Sequence, residues 1–278
     1  MIDILLATYN GEKFLKEQIE SILSQTCGNW KLLIRDDGSN DNTIDIINAF
    51  SQRYPDKIEL IKDADGNVGA AQNFSRLLQK STGQYVMFCD QDDVWLPKKI
   101  ETTLNKMKET ENIYPNIPIL VHTDLKVVDA DLNTIAESFW SYNKFDPERD
   151  SIPERIIYRN TVTGCTAMIN KKAKQIATPI PKYVRLHDWW IALNAAKYGR
   201  IFYISEPAVL YRQHRENVIG AASKPLVRFL FDKLTTFPRR FINDYKTVKS
   251  IYPAAGFFAL LSKNISQSLK QRLRRKRL

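Results

Sequence analysis

Cysteine is scarce in this chain and poorly placed for crosslinking. Cys27, Cys89 and Cys165 are odd in number and far apart, which excludes a disulfide framework and a CxxC zinc site. All three are expected to fill buried space in a reduced, cytosolic compartment. Long apolar runs are also missing. The longest, residues 254–261, falls far below the ~20 residues of a spanning helix. The chain opens on Ile2-Asp3-Ile4-Leu5-Leu6, too short and too acidic for a secretory signal, so none is expected. No GxxxxGK[ST] loop occurs, and no GxGxxG follows the first apolar segment, which excludes P-loop kinases and NAD(P)-dependent dehydrogenases. Internal repeats and low-complexity linkers are lacking too. Excess positive charge is absent from most of the chain. The formal net charge is +10, yet residues 221–278 carry 14 basic and 2 acidic side chains, whereas residues 1–220 carry 27 and 29. A protein that coats nucleic acid would be basic throughout, so no nucleic-acid partner is expected.

What remains is an ordinary globular balance, with 44% apolar and 26% charged residues in 278. The first half alternates strand and helix signals. Residues 2–7, 31–35, 58–61 and 84–89 are short apolar runs. Between them, Leu15, Ile19, Ile22 and Leu23 mark one helical stripe, and Ala70, Phe74, Leu77 and Leu78 another. Residues 42–53 read as a helix with Asp41 at its N-cap. Pro97 suits the first turn of a helix reaching about residue 110. This alternation predicts βαβ units and an α/β fold with a mostly parallel central sheet and helices on both faces. The second half is more mixed. Strands are expected over residues 119–128, 161–169, 200–204 and 208–212, and a helix over 188–198. From about residue 221 the composition turns to Phe, Leu and Lys/Arg, which divides the chain into a body, 1–220, and a helical extension, 221–278.

Polar clusters sit just past three predicted strands: Thr8-Tyr9-Asn10, Asp36-Asp37-Gly38-Ser39 and Asp90-Gln91-Asp92-Asp93. In open α/β sheets ligands bind at that edge, so the clusters are expected to converge. Three carboxylates within four residues repel unless a cation or solvent screens them. Hard oxygen ligands of this kind suit Mg²⁺ or Mn²⁺ together with substrate phosphate. The plainer reading is a solvated loop capping the next helix. Asp36 and Asp37 could likewise close a turn on local amides, or accept from a base N–H or a ribose hydroxyl. Thr8 and Tyr9 offer a hydroxyl and a stacking ring.

Six segments, in order, carry a resemblance: Ala-Thr-Tyr-Asn-Gly (7–11), Ser-Ile-Leu-Ser-Gln-Thr (21–26), Arg-Asp-Asp-Gly-Ser (35–39), Asp-Gln-Asp-Asp-Val-Trp (90–95), His-Asp-Trp-Trp (187–190) and Tyr-Arg-Gln-His (211–214). The chain resembles a family 2 glycosyltransferase of GT-A fold over about residues 2–220. It is most similar to the rhamnosyltransferase-like branch that builds bacterial surface polysaccharide. The resemblance implies an inverting transfer from a nucleoside diphosphate sugar to a glycan hydroxyl, assisted by Mn²⁺ or Mg²⁺. The implied donor is dTDP-L-rhamnose, with a UDP-hexose as runner-up and a lipid-linked glycan as acceptor. A non-catalytic membrane-peripheral module that keeps the nucleotide fold is the alternative from another class. Ala7, Thr8, Tyr9, Asn10, Asp37, Asp90 and Gln91 match donor-binding positions. Asp92 matches the direct metal ligand, with Asp90 beside it, and Asp188 the catalytic base. A carboxylate there deprotonates the attacking hydroxyl. His187 and Asp188 could instead open the following helix as a capping pair. His214 is a candidate metal ligand and Arg212 a candidate diphosphate contact. Gly164, Cys165, His187 and Trp189 are expected on the acceptor side. His122-Thr123-Asp124 would either join that pocket or form a buried network.

In the basic extension Phe257, Leu261, Ile265, Leu269 and Leu273 recur every four positions, followed by the basic run 274–277. Residues 257–278 therefore read as an amphipathic helix with a polybasic tip, suited to an anionic membrane surface. The expected location is cytoplasmic, peripheral on the inner face of the cell membrane. An ordinary helix packed on the body is the plainer reading.

Overall fold

The computed structural model describes residues 1–214 and 240–256. The elements run β1 (Ile2–Thr8), α1 (Leu15–Leu23), β2 (Trp30–Asp36), α2 (Thr43–Arg53), β3 (Ile58–Leu60), α3 (Ala70–Lys80), β4 (Tyr85–Cys89), β5 (Val94–Trp95) and α4 (Lys99–Ile113). The second half follows with β6 (Ile119–Val128), β7 (Thr134–Ala136), α5 (Phe139–Asn143), α6 (Pro147–Asp150), α7 (Pro153–Ile156), a 3₁₀ turn (Gly164–Thr166), β8 (Ala167–Asn170), α8 (Lys171–Ala177), α9 (His187–Tyr198) and β9 (Arg200–Arg212).

Strand order is β3-β2-β1-β4-β8-β6-β9-β5, with β7 paired to β6. β1, β2, β3 and β4 are mutually parallel. β8 is antiparallel to both β4 and β6, and β6 is parallel to β9. Six strands thus run one way, as the βαβ alternation predicts. Their carboxyl ends share one edge.

Side chains alternate between two apolar layers, as the strand pleat requires. Leu5, Leu33, Phe88, Leu120 and Ile169 join α3, α8 and α9 on one face. Ile4, Leu6, Ile34, Met87 and Met168 join α1, α2 and α4 on the other. Most elements lie where the sequence pattern puts them. Two differ. The strand expected over 161–169 begins only at Ala167, because Thr166 folds back through N–H and Oγ1 bonds to the Thr163 carbonyl (3.0 and 2.7 Å). The two short strands expected over 200–212 are one strand, paired with β6 past a register shift near Asp124.

Residues 240–251 form a helix that places Phe241, Val248 and Ile251 in the same core cluster as α9. Arg185 Nε bonds Asp244 Oδ1 at 2.9 Å, and the Tyr252 hydroxyl donates to the Leu193 carbonyl at 3.2 Å. This part of the extension is built onto the body. The amphipathic segment expected over 257–278 lies outside the described residues, as does the boundary near 221. Among the described residues no helix is long and apolar enough to cross a membrane. Cys89 and Cys165 are buried, and Cys27 is half-buried.

Candidate active site

The carboxyl edge gathers the polar clusters, since β1, β2, β4 and β9 all end there. At the end of β1 the Thr8 hydroxyl donates to Asp36 Oδ1 (2.9 Å), and the other Asp36 oxygen accepts from Gly38 and Ser39 amides (3.0 and 2.7 Å). Asp36 thus closes the turn. Asp37 is buried, and its carboxylate accepts from Arg35 Nη1 (2.8 Å) and from the Val68 and Gly69 amides (2.9 and 2.7 Å). Asp37, expected as a donor contact, fixes the loop before α3 through these bonds. Ala7 is half-buried beneath these turns, Asn10 is exposed, and Tyr9 is 46% exposed, which leaves its ring available for stacking.

Arg35 is the buried partner that sequence reading passed over. It is 1% exposed and also grips Asp63 through Nε and Nη2 (2.7 and 2.9 Å). Its guanidinium holds the Asp63 carboxyl below the usual carboxylate range. Arg35→Met should destabilise the fold by ~3 kcal/mol, the usual cost of stranding a buried charge, measured as a lower urea midpoint. An unchanged midpoint would count against this network.

β4 delivers Asp90, and the chain turns through Gln91 and Asp92 into β5. β5 pairs with the end of β9, Val94 opposite Leu210 and Trp95 opposite Val209. That pairing brings His214 to Asp92, with His214 Nε2 2.8 Å from Asp92 Oδ2. Asp93 is fully buried; its Oδ1 accepts from the Arg212 amide (3.1 Å), and the Cys165 thiol lies beside the carboxylate. Arg212, expected at a diphosphate, is 2% exposed. Its guanidinium donates to the Asp92 carbonyl at 2.8 Å, bonds Glu17 and the Ala130 carbonyl, and lies over the Phe14 ring. It braces the acidic loop from behind.

Asp90 is half-buried, and its pKa is pushed up to about 7, first by burial, then by the charges of Asp92 and Asp188. Asp188 belongs to the first turn of α9, beside the 3₁₀ turn. It accepts from the Trp189 amide (2.6 Å) and from the Gly164 amide. Burial lifts its pKa to about 6, against these bonds. The Gly164–Thr166 turn thus stands between Asp188, which bonds the Gly164 amide, and the acidic loop, which the Cys165 thiol approaches.

The expected acceptor residues divide. Gly164 has His187 so close that an added Cβ would stand 2.7 Å from His187 Nε2. His187 stacks on Phe74 with ring centroids 3.8 Å apart; its Nε2 is buried without a partner, and burial lowers its pKa to about 3. Trp189 is half-buried, and its indole N–H donates to the Ile156 carbonyl at 2.8 Å, so it ties α7 to α9. Trp190 does the same for α8 through Ala177. Cys165 is buried in the apolar layer opposite α9, and its thiol lies beside the Asp90 and Asp93 carboxylates. His122 and Asp124 form the buried arrangement: His122 lies edge-on to Trp140, and Asp124 accepts from Leu125 and Trp140 amides and the Ser138 hydroxyl.

Carboxylates and imidazole at this edge are a suitable donor set for a divalent cation. The expected trio does not converge as one cluster: Asp92 and His214 bond each other. Among the described residues the ligand atoms that gather within 4.8 Å are those of Asp90, Asp93 and Cys165. A cation bound near Asp90 would favour its ionised form and relieve the repulsion described above.

The model of "Glycosyl transferase family 2" matches residues 3–175. A dTDP-rhamnosyl transferase, RfbG of Shigella flexneri, is 29% identical over 231 residues, covering 78% of this chain and 74% of that protein. WfgD of Escherichia coli, a UDP-Glc:alpha-D-GlcNAc-diphosphoundecaprenol beta-1,3-glucosyltransferase, is 34% identical over 205 residues, covering 72% of each. Among solved structures, the mannosyltransferase PcManGT of Pyrobaculum calidifontis, in complex with GDP-Man and Mn²⁺, aligns at TM-score 0.61 with 14% identity, over 98% of this chain and 82% of that one. This last likeness bears on the fold alone, which is GT-A. A family match over residues 3–175, on this sheet and with this acidic edge, makes the chain a glycosyltransferase, and it belongs to family 2.

Proposed function

We propose that the chain transfers L-rhamnose from dTDP-rhamnose to a hydroxyl of a growing, lipid-linked surface glycan, with inversion at the anomeric carbon. The observation that carries this reading is the meeting of two acidic groups at one edge: the acidic loop, where Asp92 bonds His214, and Asp188, which accepts from the amide of Gly164 next to Cys165, whose thiol lies within 4.8 Å of Asp90 and Asp93. The donor's base and ribose lie against Ala7, Tyr9 and Asn10, where the Tyr9 ring is exposed. Thr8, Asp36 and Asp37 shape that wall. Asp92, with His214 and Asp90, would hold the Mn²⁺ or Mg²⁺ ion, which when bound would supply positive charge for the departing diphosphate.

Asp188 takes the proton of the acceptor hydroxyl as its oxygen attacks the anomeric carbon. The bond to the diphosphate oxygen breaks on the opposite side. No covalent enzyme intermediate forms, so no Ser or Cys nucleophile is required. A buried carboxylate with pKa near 6 suits this task, being ionised at neutral pH yet more basic than an exposed Asp. His187, Gly164 and the wall around Trp189 border the acceptor. The product anomer should be opposite to the donor's by NMR; retention would refute the inverting route.

UDP-glucose is the second reading, favoured by the higher identity to the glucosyltransferase, 34% against 29%. Competition between the two donors for one acceptor separates them.

The enzyme works at the inner face of the cell membrane, anchored by residues 257–278. This rests on their apolar period of four and basic run, and on one relative, WfgD, whose printed name includes a diphosphoundecaprenol lipid. Deleting 257–278 should release the protein from anionic vesicles while sparing turnover on a short soluble acceptor. The helix at 240–251 is retained, since it packs on α9. Unchanged vesicle binding would remove the membrane role.

A further inference from the structure

Gln91, the middle residue of the Asp90-Gln91-Asp92 triplet, makes an unusual contact. Its side-chain amide meets the backbone of Tyr9 from both sides. The Tyr9 N–H donates to Gln91 Oε1 at 2.8 Å, and Gln91 Nε2 donates to the Tyr9 carbonyl at 3.0 Å. One planar amide thus imitates a paired strand residue and closes a two-bond ring between loops 82 positions apart. Gly11 makes room for it. An ideal Cβ there would stand 2.4 Å from Gln91 Oε1, 2.7 Å from Cδ and 3.2 Å from Nε2. These Gln91 atoms are the three nearest to that Cβ, so the glycine accommodates this side chain.

The Tyr9 loop is otherwise tied to the β2 side. Asn10 holds a left-handed backbone, φ 48°, with its amide on Ser39 Oγ (2.8 Å) and its Oδ1 accepting from the Asn40 amide (2.9 Å). The Gly11 amide donates to Thr43 Oγ1 at 2.7 Å. The base-side wall is therefore one hydrogen-bonded unit, and Gln91 links it to the acidic loop.

We propose that Gln91 is a positioning residue that couples nucleotide binding at Tyr9 to cation binding at Asp90 and Asp92. A shift of either loop breaks both bonds, so ordering one loop orders the other. Coupling of this kind is reciprocal: the cation strengthens nucleotide binding by the same factor as the nucleotide strengthens cation binding. The inference rests on the donor site proposed above.

The test is titration of UDP and dTDP, with and without Mn²⁺, into the wild type, Gln91→Ala, Gly11→Ala and the double variant. Mn²⁺ should tighten nucleotide binding to the wild type. That enhancement should fall ~10-fold in Gln91→Ala and in Gly11→Ala. The double variant should be no worse than Gln91→Ala, because the new methyl group then has space. The Tyr9 amide should exchange slowly in the wild type and fast in Gln91→Ala, before any ligand is added. A purely structural role would lower the melting temperature and leave the enhancement intact. An unchanged enhancement in Gln91→Ala, a slow Tyr9 amide there, or losses that multiply in the double variant each overturn the clasp alone. A wild type that binds neither nucleotide overturns the donor-site reading, and the clasp with it.

Discussion

Asp92→Asn should abolish cation-dependent donor binding, with nucleotide affinity in Mn²⁺ falling ~10²-fold to its cation-free level and transfer falling to background. The substitution isolates the charge. An asparagine oxygen can still accept from His214 Nε2, the bond made at 2.8 Å. The Asp92 backbone carbonyl still accepts from Arg212 Nε at 2.8 Å, so the loop keeps its brace. What disappears is one negative charge in a group of three. The Asp90 carboxyl, pushed up to about 7 partly by Asp92, should titrate lower in the variant, which NMR can follow. Wild-type donor binding and turnover in Asp92→Asn would remove the cation from the account.

Asp188→Asn should separate binding from chemistry. The asparagine keeps an oxygen for the Trp189 amide (2.6 Å), so the first turn of α9 and the donor affinity should persist. Transfer should fall by ~10²–10⁴, the range for losing a positioned general base. The pH profile gives an independent readout. Burial raises the Asp188 pKa to about 6, and the base acts only when ionised. The rate in the wild type should therefore climb between about pH 5 and 7 and level off above. Residual transfer in Asp188→Asn should lack that limb. A variant that transfers at the wild-type rate, or keeps the limb, requires another base.

The parts of the site that depend on strand ends were legible in the sequence. Short apolar runs followed at once by Thr-Tyr-Asn, Asp-Asp-Gly-Ser and Asp-Gln-Asp-Asp place those clusters on one edge, because parallel strands share it. Long-range partners were not legible. Arg212 reads as a phosphate contact by its charge, yet its amide meets Asp93 across 119 positions and its guanidinium turns inward. Trp189 is expected beside the acceptor, and its indole N–H finds a carbonyl 33 residues upstream. Cys165 reads as acceptor-side lining, and the 3₁₀ turn sets its thiol beside the Asp90 and Asp93 carboxylates. In each case one-dimensional chemistry was correct about polarity and silent about which partner would satisfy it. Arg35 and Gln91 show the converse. Neither charge nor amide alone announces a brace, and only the fold supplies the Asp63 carboxylate and the Tyr9 backbone that give them one.

The most direct test of the central claim is a calorimetric titration of the wild type with a panel of nucleoside diphosphate sugars, including dTDP-rhamnose and UDP-glucose, each with and without Mn²⁺. The account predicts that one donor binds well below millimolar concentration, that Mn²⁺ is needed for it, and that the same donor is consumed when a glycan acceptor is added. No binding of any panel member at millimolar concentration, with or without Mn²⁺, would contradict it.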